Sequence, residues 1–144
     1  MEVARKIIEQ YEATGEKKAL DEQCKTMGLY NRLHAAAIIR KFDLPEQVEV
    51  SLQGIRVGGL AFACVPGEPY DTLGQMIKKN SGYQMTFVLT LSNWYGSYLP
   101  SSEGFQHGGY AAYACSYVPG TGEKMADKVA QMLSEMREET EYWR

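Results

Sequence analysis

Apolar residues recur at helical spacing through the first third of the chain. Val3, Ile7, Ile8 and Tyr11 mark one face of a helix that ends near Gly15. Leu20, Cys24 and Met27 continue the same period, and after Gly28 so do Leu29, Leu33, Ala37 and Ile38; Gly28 is placed to bend or break the two segments apart. Leu44-Pro45 closes this region. From there the period drops to two. Val48, Val50 and Leu52 alternate with polar neighbours, and Gly58-Gly59 separates Ile55-Arg56-Val57 from the apolar run Leu60–Val65. A diglycine between apolar strands predicts a β-hairpin, of type I′ if both glycines take positive φ. The run after it is apolar on both faces and predicts a central, fully covered strand.

Pro69 suits the first turn of a helix reaching about Lys79, with Leu73, Met76 and Ile77 turned inward and Asn80-Ser81-Gly82 as its stop. Met85–Leu91 predicts a second buried strand. Residues 93–109, punctuated by Gly96, Pro100, Gly104, Gly108 and Gly109, predict a long irregular loop of the kind that usually carries function. Tyr110–Tyr117 predicts a further strand, and Gly122 to about Tyr142 a last amphipathic helix striped by Met125, Val129, Met132 and Met136. The whole reads as α/β or α+β, a few-stranded mixed sheet with a β-hairpin, covered by helices. Residues 1–144 are expected to form one domain: 1–44 helical, 45–118 a strand-and-helix core with the site loops, 119–144 the closing helix.

Composition narrows the partners more than the fold. A net charge of −3 over 144 residues, with no basic cluster beyond Lys17-Lys18 and Lys78-Lys79, argues against nucleic acid. No apolar run is long enough to span a bilayer, and the start MEVARKIIEQYEATGEKK reads as an amphipathic segment rather than a signal peptide. The three cysteines, Cys24, Cys64 and Cys115, match no metal-binding spacing, and their apolar surroundings predict buried thiols.

The chemistry gathers after two of the strands. Glu68 is the first charge after Leu60–Val65 and sits between Gly67 and Pro69. Ligands of open α/β sheets collect where strands end, so parallel neighbours would bring Glu68 and the 93–109 loop to one sheet edge. Taken alone, Glu68 also reads as a carboxylate at a helix N-terminus. Trp94, Tyr95, Tyr98, Tyr110 and Tyr113 also read as packing, and Asn93 as a turn residue.

The combination VPGE, then NWYGSY, then E-x-F-x-x-x-G-Y ending at Tyr110, resembles the neutral/alkaline ceramidase family, in the C-terminal part of its catalytic domain. The match runs unbroken from Asn93 to Tyr110 and more loosely from about Val48 to Val129. Family members are zinc amidases that cleave the N-acyl bond of ceramide. The resemblance therefore implies Glu68 and Tyr98 as zinc ligands, and Tyr110 as a catalytic tyrosine close to the metal. The zinc of the complete enzyme would polarise the amide carbonyl and lower the pKa of its bound water.

The family's histidine ligands lie upstream of PGE, and this chain's only histidines are His34 and His107. His34 reads as a half-buried helical residue, and His107 falls where the family has no ligand. Gly109 and Ala111 stand where ceramidases carry an arginine and an acid, a form like that of a shorter bacterial branch whose substrate need not be ceramide. The expectation is a fragment of a larger hydrolase domain, itself without zinc and inactive, with the missing N-terminal part of the domain and a lipid-like N-acyl substrate as partners. The resemblance implies a secreted, periplasmic or membrane-associated parent. Self-association through the surface the missing part would cover is a further expectation. Two other readings stand beside it: a binding or assembly module that keeps the sheet and holds no metal, and a non-metal hydrolase using Ser97, Ser101 or Ser102.

Overall fold

A computed structural model describes residues 1–29 and 31–141. The chain divides into two compact units, residues 1–48 and 49–144.

The first unit consists of three helices, α1 (Glu2–Thr14), α2 (Lys17–Thr26) and α3 (Arg32–Phe42). Gly15 ends α1 in the left-handed region at φ 68° and donates its N–H to the Tyr11 carbonyl, the glycine stop the sequence predicts. Asn31 caps α3 by accepting from the His34 N–H at 2.9 Å. Ala4, Ile7, Cys24 and Ala35 form the core of this unit, with Ile8, Leu29, Ile38 and Ile39 packed around them. The Asp21 carboxylate ties α2 to α3, accepting from the Arg32 backbone N–H at 3.0 Å and its guanidinium at 2.9 Å. These bonds to Arg32 hold the Asp21 carboxyl below its usual range.

The second unit has a three-stranded mixed sheet in the order β1 (Gln53–Val57), β2 (Leu60–Cys64), β4 (Met85–Leu89). β1 and β2 form the antiparallel hairpin predicted at the diglycine, and β2 pairs with β4 in parallel. Of the two turn glycines only Gly58 takes a positive φ (59°), the pattern of a type II′ turn in place of the type I′ expected. Helices α4 (Asp71–Asn80) and α7 (Thr121–Glu141) pack with one face of the sheet. The core there is Ala61, Ala63, Val65, Leu73, Ile77, Leu99, Met125, Ala126, Val129 and Leu133. All three cysteines are buried free thiols.

Several local expectations are corrected. Val50 and Leu52 pack against the core without a ladder partner, so the alternation from Val48 to Leu52 produces no strand. Pro69 does not open a helix. It lies in the short strand β3 (Glu68–Pro69), because the Tyr70 N–H bonds the Leu99 carbonyl at 3.0 Å and keeps the chain extended until Asp71. The 93–109 loop contains strand β5 (Tyr98–Leu99) and helix α5 (Ser102–His107), the latter capped by Ser101 accepting from the Gly104 N–H at 3.1 Å. Tyr110–Ala114 is helix α6, not a strand. Its alanines favour a helix, and the positive φ of Gly108 (71°) and Gly109 (94°) turns the chain into one. β2 is central as predicted, yet Met85, Phe87 and Leu89 of β4 are exposed, so neither strand is covered on both faces. The predicted end of the last helix at Tyr142 lies outside the described residues.

Candidate functional site

The corner after β2 and the loop after β4 meet because their strands are parallel neighbours. The Leu91 N–H bonds the Gly67 carbonyl at 2.9 Å, and the Ser92 N–H bonds the Val65 carbonyl at 3.2 Å. The second parallel ladder, β3·β5, then places Glu68 directly opposite Tyr98, with the Glu68 N–H on the Ser97 carbonyl at 2.9 Å. Two residues 30 positions apart in sequence become cross-strand partners.

Glycine makes that approach possible. Gly67 has φ +84°, and a Cβ there would land on the Ser97 carbonyl oxygen. Across from it, a Cβ on Gly96 would lie 3.1 Å from the Pro66 carbonyl carbon and 3.2 Å from the Gly67 nitrogen. The loop ahead of Tyr98 is held under strain: Leu91, Asn93 and Ser97 take φ values of 54°, 65° and 72°, which side chains other than glycine seldom adopt. The Ser97 hydroxyl donates to the Ala114 carbonyl at 3.0 Å and so ties β5 to the end of α6.

At the start of α6, the Tyr110 ring meets the Tyr98 ring edge to face, centroids 5.7 Å apart at 76°. Tyr110 is 63% exposed, while Glu68 and Tyr98 are half-buried. The Glu68 carboxylate is the main influence raising the Tyr98 phenol above its usual pKa, followed by loss of solvation and then by Tyr110 and Tyr95. Tyr98 is therefore a neutral phenol at physiological pH, able to donate a hydrogen bond or accept one. Glu68, Tyr98 and Tyr110, the residues singled out from the sequence, are brought together by the strand pairing of the first two and the ring contact of the last two.

The other candidates go elsewhere. His34 is a half-buried residue of α3, its pKa lowered chiefly by burial. His107 ends α5, exposed, with its Nδ1 2.9 Å from the Glu103 carbonyl oxygen, so that this nitrogen carries the proton. Ser101 serves as the cap of α5 and Ser97 as the tie to Ala114, both local structural tasks. Trp94 and Tyr95 are exposed, contrary to a packing role.

Sequence reasoning missed Tyr117. Its hydroxyl is buried without a hydrogen-bond partner among the described residues and would lie 3.1 Å from a Cβ on Gly96. That places a phenol behind the backbone of the site corner. Only the density of tyrosines after Gly109 hinted at it.

Among the described residues no group of three or more His, Cys, Asp or Glu could hold a metal ion. The cluster offers the Glu68 carboxylate and the Tyr98 phenol, whereas a catalytic zinc takes three protein ligands. The donor set of this chain does not by itself fit that metal.

Comparison with solved structures finds a match to a ceramidase complexed with C2, with a TM-score of 0.57 and 22% sequence identity over 61% of this chain. The fold is ceramidase-like. The match spans 15% of that ceramidase's length, so the likeness concerns one part of its architecture. No protein-family model matches the chain, and no curated protein matches it.

Proposed function

We propose that this chain forms the Glu68- and Tyr98-bearing part of a hydrolase that cleaves an N-acyl amide in a lipid-like substrate. The observation that carries the reading is the in-register pairing of Glu68 with Tyr98 at the strand ends of a ceramidase-like fold. A carboxylate and a phenol held on paired backbones keep their oxygens in a narrow geometry, which metal ligation and amide recognition both require. On this reading Tyr110 meets the incoming acyl amide with its hydroxyl, a role supported by its contact with Tyr98 and its exposure to solvent.

On this reading the metal is zinc, and the imidazole ligands come from the remainder of the hydrolase domain. The isolated chain is then inactive. The matched ceramidase is far longer than this chain, which supports a shared centre of this kind.

The test uses the complete enzyme assembled with this chain. Glu68→Gln is expected to abolish amide hydrolysis, because a neutral carboxamide is a much poorer metal ligand than a carboxylate. Tyr98→Phe should lose most of the activity, since it deletes the phenolic oxygen and keeps the ring. Both proteins should fold. The helix-capping role that the sequence also allowed is ruled out, because Glu68 lies in β3 and α4 begins only at Asp71. A purely structural role for Glu68 expects the reverse outcome, stability lost and turnover per folded molecule retained. Full activity in a folded Glu68→Gln enzyme ends the proposal and leaves a binding or assembly module as the reading.

A further inference from the structure

The three-stranded sheet has two unlike faces. Its register aligns Gly54, Ala63 and Val88, and likewise Arg56, Ala61 and Thr86, on one side. That side meets the helices: Leu133 of α7 presses on Gly54, where an added Cβ would lie 3.0 Å from its Cδ2, and Ala61 and Ala63 are fully buried. The other side carries three rows, Gln53–Cys64–Leu89, Ile55–Phe62–Phe87 and Val57–Leu60–Met85. No row contains a charged residue. Ile55, Val57, Leu60, Met85, Phe87 and Leu89 are each between 38% and 58% exposed, and the stacked rings of Phe62 and Phe87, 5.2 Å apart, stand in the middle row.

This is unusual for such a sheet. Sheets with parallel pairs are normally covered on both faces, and here β2·β4 is parallel with one face open. The edge strand β4 is also undefended, with no charge and no proline between Met85 and Leu91. The six exposed side chains present on the order of 500 Å² of apolar surface, the size at which patches on single proteins tend to be binding sites.

We infer that this face is the interface of a two-fold dimer of the chain, with the two sheets packed face to face about 10 Å apart. Three features select a second copy as the occupant. A two-fold contact sets the same patch against itself, and a patch without charged residues does so with no like charges opposed. The aromatic pair lies in the central row with aliphatic side chains and a methionine beside it, so one copy's rings can settle against the other's smaller groups. Doubled across the axis, the buried apolar surface reaches on the order of 1,000 Å², where specific interfaces begin. The inference concerns the 144-residue chain on its own and does not require the hydrolase reading, under which the rest of the domain would compete for the same face.

The test is sedimentation equilibrium of the 144-residue chain from low to high micromolar concentration. A monomer–dimer equilibrium that stops at the dimer is expected, with a dissociation constant indifferent to salt because the face is uncharged. Val57→Lys and Met85→Lys, at the two most exposed positions of the face, should each weaken the dimer about tenfold or more, because each buries two ammonium groups, while leaving the circular dichroism spectrum and the Tm of the dilute monomer unchanged. Val118→Lys, at an exposed position off the sheet, should leave the dimer as it is. Four results overturn the inference: a monomer at every concentration, growth past the dimer, a dimer untouched by both face variants, or a one-to-one complex with a different polypeptide over this face.

Discussion

The Glu68 carboxylate acts on the Tyr98 phenol through its charge, and that coupling is measurable without any metal or substrate. The carboxylate opposes a second negative charge on the phenol and so keeps Tyr98 protonated to higher pH. In Glu68→Gln that opposition is gone, and the Tyr98 phenol should ionise at lower pH than in the parent chain. Phenolate absorbance followed in an alkaline titration reports it, and the difference lost in Tyr98→Phe assigns the signal among the ten tyrosines. Identical titrations of the parent and Glu68→Gln would mean that the two side chains do not face each other. Glu68 was legible as the first charge after an apolar run, at the breaker Gly67, whereas Tyr98 was singled out only by the ceramidase-like motif, since its own surroundings read as packing. Tyr117 was not legible, since a buried hydroxyl without a partner leaves no mark on residue spacing.

At the scale of elements, the site depends on β3 and β5, two-residue strands too short for any period to reveal. What holds them is the close backbone approach at Gly67. Gly67→Ala should therefore destabilise the second unit by about 2 kcal/mol or more, through left-handed strain and collision with the Ser97 carbonyl. Gly74→Ala is the matched control. Gly74 lies inside α4 with open space where a Cβ would go, so the same change should stabilise by about 0.5–1 kcal/mol. Chemical denaturation of both variants checks the opposite signs, and equal effects would remove Gly67 from its special place. The long helices were legible because their apolar stripes repeat over three or more turns. Helix α6 was misread as a strand, because Tyr-Ala-Ala-Tyr-Ala is too short to separate a period of two from one of 3.6.

For the whole molecule the decisive quantity is how many metal donors the chain can bring together. Glu68 and Tyr98 supply two oxygens, too few for a catalytic zinc. After dialysis the isolated chain should retain much less than one zinc per molecule by elemental analysis. One tightly held zinc would require a further ligand, with His107→Ala the first variant to test. The sequence by itself determined the long helices, the hairpin at Gly58-Gly59, the three buried cysteines, and the two stretches that hold the candidate site residues, because periodicity, breakers and composition are local properties. Only the tertiary structure decided that Glu68 and Tyr98 are cross-strand partners, and that one face of the sheet stays bare. Both follow from β2 and β4 lying side by side in parallel, a pairing set by packing against α4 and α7 and recorded in no single stretch of residues.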